Sequence, residues 1–468
     1  MPNATMSSNV TTADSNPPLG IPAQADVHVV PFKARFFWGL GSLGTISYIN
    51  IVTALVLVYL TTIVKMDAAV AGTLVFAARI VDAFSDPAMG WLTDRTRTRW
   101  GRRRPYLLLG AVVCGTSLPL VYSIHTLPFG LDPVIISLAV LIIYSLGFTI
   151  FNVPYLTMPV EMTTDRMQRF SIMSYRVIFM MMGALIGSAG GPYLVEKLGK
   201  DAEAFQTLGL AGGALVGLVM FATFLGTKGA RASVGSEMHL SILEQIKTVA
   251  GNRPFVLLIG MKVLQFFAIA SAASTAAFFV SVVLKQQLTL LSVLGLASTA
   301  SIVVSVPFWK WLGRFITKRR GLMIGVIGEV AATLTWLLAT AEHSTAFFIF
   351  RGALTGFFSS SILLYSQAMW LDTIDYDQQR TGLSREGMYT SVYVFVERLG
   401  YSLGPLVLGF LLSGMGFDKT LALENQPASA ELAVYIGLVW IPAAAYTMGF
   451  ALLWFYRLPE RVGDQMRI

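Results

Sequence analysis

Three ionisable residues stand inside one apolar run: Arg79, Asp82 and Asp86. Their i, i+3 and i, i+4 spacings put all three on one face of a helix. Charged groups in a hydrocarbon setting are costly, and where they occur they mark ion or substrate pathways. Two carboxylates one turn apart repel each other, so one holds a proton or a cation lies between them. Ser85 adjoins Asp86, and Pro87 deprives the Ala83 carbonyl of its helical donor. This is the chemistry of a cation-coupling site; a structural pair between Arg79 and one acid is the plainer reading.

The elements that carry these residues are membrane helices. Of 468 residues, 55% are apolar and 13% charged, about half the charged share of an average soluble domain. The mean hydropathy is +0.65, more apolar surface than a soluble core can bury. Apolar runs at 36–62, 69–93, 105–125, 133–158, 172–195, 205–226, 255–284, 287–312, 321–340, 345–370, 387–415 and 432–456 predict twelve transmembrane helices, each long enough to cross about 30 Å of hydrocarbon. They are too long and too uniformly apolar for barrel strands. Residues 1–35 read as a disordered tail, 227–254 as a connecting loop and 457–468 as a second tail.

Charge sets the expected topology. Arg95, Arg97, Arg99, Arg102, Arg103 and Arg104 crowd one even-numbered loop, whereas the odd-numbered loops carry only Lys65, Lys197, Lys200, Lys285 and Lys419. Even loops and both termini are therefore expected in the cytoplasm, for a multi-pass protein of the plasma membrane. Topology accounts for the net charge of +8, and no nucleic-acid partner is expected. Membrane lipid and a small-molecule solute are the expected partners, and a monomer the expected state. The single cysteine, Cys114, excludes an intramolecular disulfide.

The chain also repeats. Ser85, Pro87 and Trp91 recur as Ser305, Pro307 and Trp311 at one constant offset, each set followed by a basic loop and another apolar run. Two six-helix halves follow, 36–226 and 255–456. Parallel six-helix repeats are a transporter architecture, with solute bound near the midplane between halves.

The stretch from Arg79 through Trp91, with the following Thr98-Arg-Trp-Gly-Arg-Arg-Arg-Pro105, resembles the glycoside–pentoside–hexuronide:cation symporters, a melibiose-permease-like family of the major facilitator superfamily. Asn152-Val-Pro-Tyr-Leu-Thr-Met-Pro-Val-Glu-Met-Thr163, Arg169 through Arg176, Asp375 through Gly382, Arg385-Glu-Gly-Met-Tyr389 and Arg398-Leu-Gly400 extend the match across 36–456. The resemblance implies a major-facilitator fold, no cofactor beyond a coupling ion, and a cation site of Asp82, Asp86, Ser85 and Thr149. Ser85 stands where the melibiose permease has Asn, and Arg176 matches a sugar-contacting arginine. Two acids that hold galactoside hydroxyls there correspond to positions near Ile46 and at Asn152, and a sugar-stacking Trp corresponds to Leu156. Asn152 still offers a donor and an acceptor. Tyr155, Tyr48 and Asn50 complete the expected solute lining.

Arg398 stands where a lysine is usual. Arginine keeps its charge in proteins, so Arg398 is expected beside Asp82 and Asp86 as a surrogate cation in the empty carrier. Arg79, Asp94, Arg95, Arg102 and Arg103 are expected to couple or gate, the loop residues by tying the 2–3 hairpin to neighbouring helix ends. Glu329, Arg351 and Lys262 read as cross-helix pairs or as side chains reaching an interface. His28, His125, His239 and His343 fall in tails, loops or at a helix edge, outside any intramembrane relay. Oxygen ligands suit Na⁺, while a close acid pair suits a shared proton; the shorter Ser85 favours the proton. The expectation is cation-coupled symport of a glycoside, oligosaccharide or hexuronide-like solute by alternating access, with an exporter or facilitator of a more apolar solute, aromatic, terpenoid or steroid-like, as the alternative. No nucleophile–base set, metal cluster or phosphate loop supports an enzyme.

Overall fold

The computed structural model describes residues 30–127, 132–163, 166–228, 251–381 and 386–458. Among them are twelve helices long and apolar enough to cross a membrane: α1 (Phe32–Thr62), α2 (Ala68–Arg95), α3 (Arg104–Tyr122), α4 (Pro133–Pro159), α5 (Ser171–Leu198), α6 (Ala202–Gly226), α7 (Arg253–Val283), α8 (Thr289–Leu312), α9 (Lys318–Leu338), α10 (Thr345–Thr381), α11 (Met388–Gly414) and α12 (Ala428–Phe455). Most ends fall within a few residues of the apolar runs. Two differences are larger. Helix α10 continues eleven residues beyond its apolar run, because a helix does not stop where its hydropathy does; Lys318 reaches across from α9 to Asp372 at 2.8 Å on this extension. Residues 30–35 are not tail: α1 starts at Phe32, and the Val30 amide donates to Gln168 Oε1 at 2.8 Å. The rest of the expected N-terminal tail, most of the connecting loop and the end of the C-terminal tail lie outside the described residues, as do His28, His239, Gly382 and Arg385.

The sequence repeat is also a packing repeat. Within the first six helices α1 packs on α5 and α6, α4 on α2 and α3, and α3 on α6. Within the second six, α7 packs on α11 and α12, α10 on α8 and α9, and α9 on α12, the same set shifted by six. The recurring serines bridge equivalent helices. Ser85 of α2 donates to Thr149 of α4 at 3.1 Å, and Ser305 of α8 meets Ser360 of α10 at 2.6 Å. Trp91 and Trp311 are both half exposed, at 51% and 52%, as expected of indoles near a membrane interface. The acids do not repeat, since the same offset from Asp82 and Asp86 reaches Ile302 and Val306.

The two sets of helices meet along α2 with α11 and along α5 with α8. Their ties cluster at the odd-loop end. Lys65 Nζ donates to the Lys419 carbonyl at 3.0 Å, and Ser413 Oγ to Asp67 Oδ2 at 3.0 Å. Ser292 Oγ of α8 donates at 2.6 Å to the Ala189 carbonyl, in a π-helical turn of α5 at Ile186–Gly190. Such a turn breaks the regular ladder and frees carbonyls for other donors. Glu196 Oε2 accepts the Leu288 amide at 2.6 Å, satisfying one of the bare N–H groups that open α8. At the even-loop end three ties among the described residues run within a half: Arg104 Nη2 to the Phe224 carbonyl at 2.8 Å, Asn252 Nδ2 to the Thr373 carbonyl at 2.9 Å, and Arg319 Nε to the Leu453 carbonyl at 2.9 Å.

Apolar packing divides the same way. One cluster joins α1, α3 and α4 to Phe278, Leu288, Leu408 and Val434 of the second half, while Leu258, Trp309, Leu322 and Tyr456 form a separate one. The carrier is closed at its odd-loop end.

That closure rests on close backbone approach. A Cβ added at Gly72 of α2 lies 2.5 Å from the Pro405 carbonyl oxygen and 3.1 Å from Gly409 Cα. Small residues let membrane helices approach this closely, and overpacking such a contact costs about 1–3 kcal/mol. Gly72→Val is therefore expected to open the odd-loop end without unfolding the chain. A cysteine at Ser413 then reacts faster with a membrane-impermeant thiol reagent than in the unaltered background. Equal reactivity in both backgrounds would remove Gly72 from the closure.

Candidate cation-coupling site

Helix α2 carries Arg79, Asp82, Ser85 and Asp86 at its midpoint, and α4 supplies the face opposite. Asp82 is 1% exposed. Its Oδ1 accepts from Ser145 Oγ at 2.6 Å and lies 3.5 Å from Thr149 Oγ1. Thr149 donates to Asp86 Oδ1 at 2.8 Å and accepts from Ser85, so a chain of hydroxyls runs from Ser85 to the second carboxylate. Each hydroxyl has one proton, and these two are spent on Thr149 and Asp86. Ser145 has the Asp82 carboxylate and the Ala78 carbonyl, at 2.8 Å, as possible acceptors; the charged oxygen is the stronger partner.

Two guanidiniums complete the site. Arg79 Nη1 is 3.8 Å from Asp82 Oδ2. Arg398, on α11 of the other half, places Nη1 3.9 Å from the same oxygen and pairs through Nη2 with Asp86 Oδ2. Both arginines lean on aromatic rings of α4: Arg79 Cζ is 5.7 Å from the Tyr144 centroid, and Arg398 Cζ is 5.8 Å from that of Phe148. Two positive and two negative charges balance. The acid pair needs neither proton nor added cation while Arg398 stays in place, an outcome that the spacing of α2 alone does not give.

The five expected members Asp82, Asp86, Ser85, Thr149 and Arg398 thus come together, with Arg79 beside them. Ser145 was not anticipated. Its signal was available, because it precedes Thr149 by one turn and shares its face of α4.

The solute-lining expectations divide. Tyr48 is corrected: it is fully buried, stacked on Tyr144 at 4.3 Å, with its hydroxyl bonded to Ser117 Oγ at 2.6 Å and the Tyr144 carbonyl at 2.8 Å. An amphipathic ring with all its bonds made inside the helix layer has nothing left for a solute. Asn50 folds back on its own helix, donating to the Ile46 carbonyl at 3.0 Å against Gly187 of α5. Asn152 is half buried. Tyr155 is buried and stacked on Trp38 at 4.8 Å, with its hydroxyl beside Ser42. Arg176 is half buried, and its shielded Nε is unpartnered.

At the loop end, Arg103 lies 3.8 Å from Asp94. Arg95 does not reach a neighbouring helix; its guanidinium sits 4.1 Å above the Trp91 ring on its own. Arg102 is half buried in the same loop. Arg104 ties this loop to a distant helix end, donating to the Phe224 carbonyl of α6.

In the second half, Arg351 stacks 3.6 Å over Trp336 and donates to the Ala332 carbonyl, while Glu329 accepts from Ser359 at 3.2 Å; the two do not pair with each other. Lys262 Nζ donates to Gln265 Oε1 at 2.8 Å and Ser366 Oγ at 3.2 Å. His125 contacts the Tyr59 hydroxyl at 2.9 Å near a helix end. Among the described residues no three His, Cys, Asp or Glu gather as metal ligands.

The chain matches the family described as MFS/sugar transport protein over residues 37–460. An isoprimeverose transporter of Lactiplantibacillus pentosus is 25% identical over 443 residues, covering 92% of this chain and 90% of that protein. The inner membrane symporter YicJ of Escherichia coli (strain K12) is 25% identical over 429 residues, 90% of each. Among solved structures, a bacterial homolog to the human lysosomal transporter Spinster, inward-facing and unoccupied, superposes with a TM-score of 0.66 at 16% identity, over 93% of this chain and 98% of that one. That likeness is one of fold.

Proposed function

We propose that this chain, which belongs to the MFS/sugar transport protein family and so is a membrane transporter rather than an enzyme, carries out cation-coupled symport of a glycoside-like solute by alternating access. One observation carries the reading: Arg398 of one half holds both Asp82 and Asp86 of the other. A site whose resident charge comes from the opposite half ties cation loading to the relation between halves. When a transported cation neutralises the acids, Arg398 loses its reason to stay, and the contact between α2 and α11 loosens. When the cation leaves, Arg398 returns and the empty carrier crosses the membrane midplane electrically balanced. Isoprimeverose, the solute named for a relative, is a reasonable first substrate to try.

The even loops, rich in arginine, and both termini belong in the cytoplasm of a bacterial inner membrane. Closure at the odd-loop end then makes this the inward-facing form, and with the coupling cation running down its inward gradient the proposed direction of symport is import. The unit is a monomer, since one chain supplies both halves of the site.

For the coupling ion we favour the proton. The hydroxyl chain from Ser85 through Thr149 to Asp86 is already directed at a carboxylate, and protonation of Asp86 releases Arg398 without a dehydrated metal ion having to be seated. Reconstituted in liposomes, the protein is expected to accumulate isoprimeverose or a related glycoside when the outside is made acidic in sodium-free buffer. Accumulation that appears only with an inward Na⁺ gradient at fixed pH reverses the choice of ion. Coupled outward movement alone reverses the direction.

A further inference from the structure

We infer that Glu397 is the solute-gripping carboxylate of this carrier, set on α11 opposite Arg176 of α5, and that the pair selects an uncharged polyhydroxylated solute. The inference deepens the glycoside reading and rests on it. Neighbours on a helix are about 100° apart. Arg398 faces Asp82 and Asp86 of α2, so Glu397 is turned away from them.

The Glu397 carboxylate lies within electrostatic reach of Lys262 on α7, Arg398 and, across the boundary between halves, Arg176. Each of the other two cations is engaged: Arg398 by the α2 acids, and Lys262 by Gln265 and Ser366, with its ammonium 5.6 Å from the Tyr393 ring centre. Glu397 makes no ion pair or hydrogen bond with any described residue, and it is half buried rather than bathed in solvent. Across the boundary, Arg176 Nε is shielded and unpartnered, and the Tyr155 hydroxyl, beside Ser42, lies within electrostatic reach of the same guanidinium.

Polar groups kept in an apolar layer without partners are costly. Here an acceptor on one half lies within electrostatic reach of an unpartnered donor on the other. Sugar hydroxyls are donors and acceptors at once, so one solute can donate to Glu397 while accepting from Arg176 and Tyr155. A hydrocarbon-like solute satisfies neither side. An acidic solute satisfies Arg176 and is repelled by Glu397. Because the two groups sit on opposite halves, a solute that bonds both also draws the halves together around it.

The test is equilibrium binding to the full-length protein in detergent, using a panel of neutral disaccharides that includes isoprimeverose, with methyl β-glucuronide as the charged probe. Unaltered protein is expected to prefer a neutral disaccharide. Glu397→Gln should weaken that binding roughly 10- to 100-fold, the effect of losing a hydrogen bond to a charged group, and should narrow or reverse the preference over the glucuronide. Glu397→Asp should fall between. Neutral-saccharide affinity unchanged in Glu397→Gln, or equal weakening toward both probes in both variants, overturns the assignment of Glu397 and leaves the glycoside reading standing. Absence of any saccharide binding to the unaltered protein overturns the glycoside reading itself.

Discussion

Neutralising either acid of α2, by Asp82→Asn or Asp86→Asn, is expected to abolish accumulation of solute against its gradient while leaving solute exchange between the two faces. The geometry gives the reason. The coupling charge is shared by two carboxylates that Arg398 spans, so an amide at either position leaves one negative charge where the cycle needs two. In Asp86→Asn the guanidinium keeps only its looser contact with Asp82, 3.9 Å away. In Asp82→Asn, Arg79 loses its only ion-pair partner among the described residues and Ser145 its charged acceptor. Removing one partner of a buried pair typically costs about 3–5 kcal/mol, so Asp82→Asn should also lower thermal stability more than Asp86→Asn. Uptake and counterflow in proteoliposomes separate the two activities. Wild-type accumulation by both variants would remove the coupling role from α2 altogether.

Removing the surrogate cation acts on a different step. Arg398→Ala is expected to slow net uptake at least ten- to hundred-fold while exchange of solute, in which the carrier crosses only when loaded, stays near normal. The empty carrier must then reorient with one net negative charge at the midplane, because Arg79 remains and Arg398 does not. The effective penalty for an uncompensated buried charge is several kcal/mol, and each 1.4 kcal/mol on a barrier is about a factor of ten in rate. Arg398→Lys restores a charge without the planar fork that reaches both acids, so it should be milder and should lean on one acid only. Equal loss of uptake and exchange in Arg398→Ala would point instead to a structural or solute-binding role.

Much of this was legible in the chain before any coordinates. Twelve apolar runs, the positive loops and the Ser85, Pro87 and Trp91 repeat dictate membrane helices, their number and their pseudo-symmetry, because a helix in hydrocarbon must satisfy its own backbone and therefore declares its length in sequence. The pairing of Asp82 and Asp86 on one face was equally local, a matter of helical spacing. So was the need of Arg398 for negative charge, since a guanidinium cannot discard its proton.

What the chain alone left undecided was everything set by distance between helices. Ser145 became a partner of Asp82 only because α4 lies against α2 at that height, and Tyr48, whose type suited a cavity, was turned into the helix layer by Ser117 and Tyr144. Arg104 reaches the Phe224 carbonyl at the end of α6, whereas Arg95 lies over the Trp91 ring of its own helix. Glu397 and Arg176 come from residues 221 positions apart in the sequence, and no periodicity relates them. Local spacing determines which side chains share a face of one helix, because the backbone repeats every 3.6 residues. Which face meets which is decided by packing across the two halves, and there the charges of α2, α5 and α11 find or lack their partners.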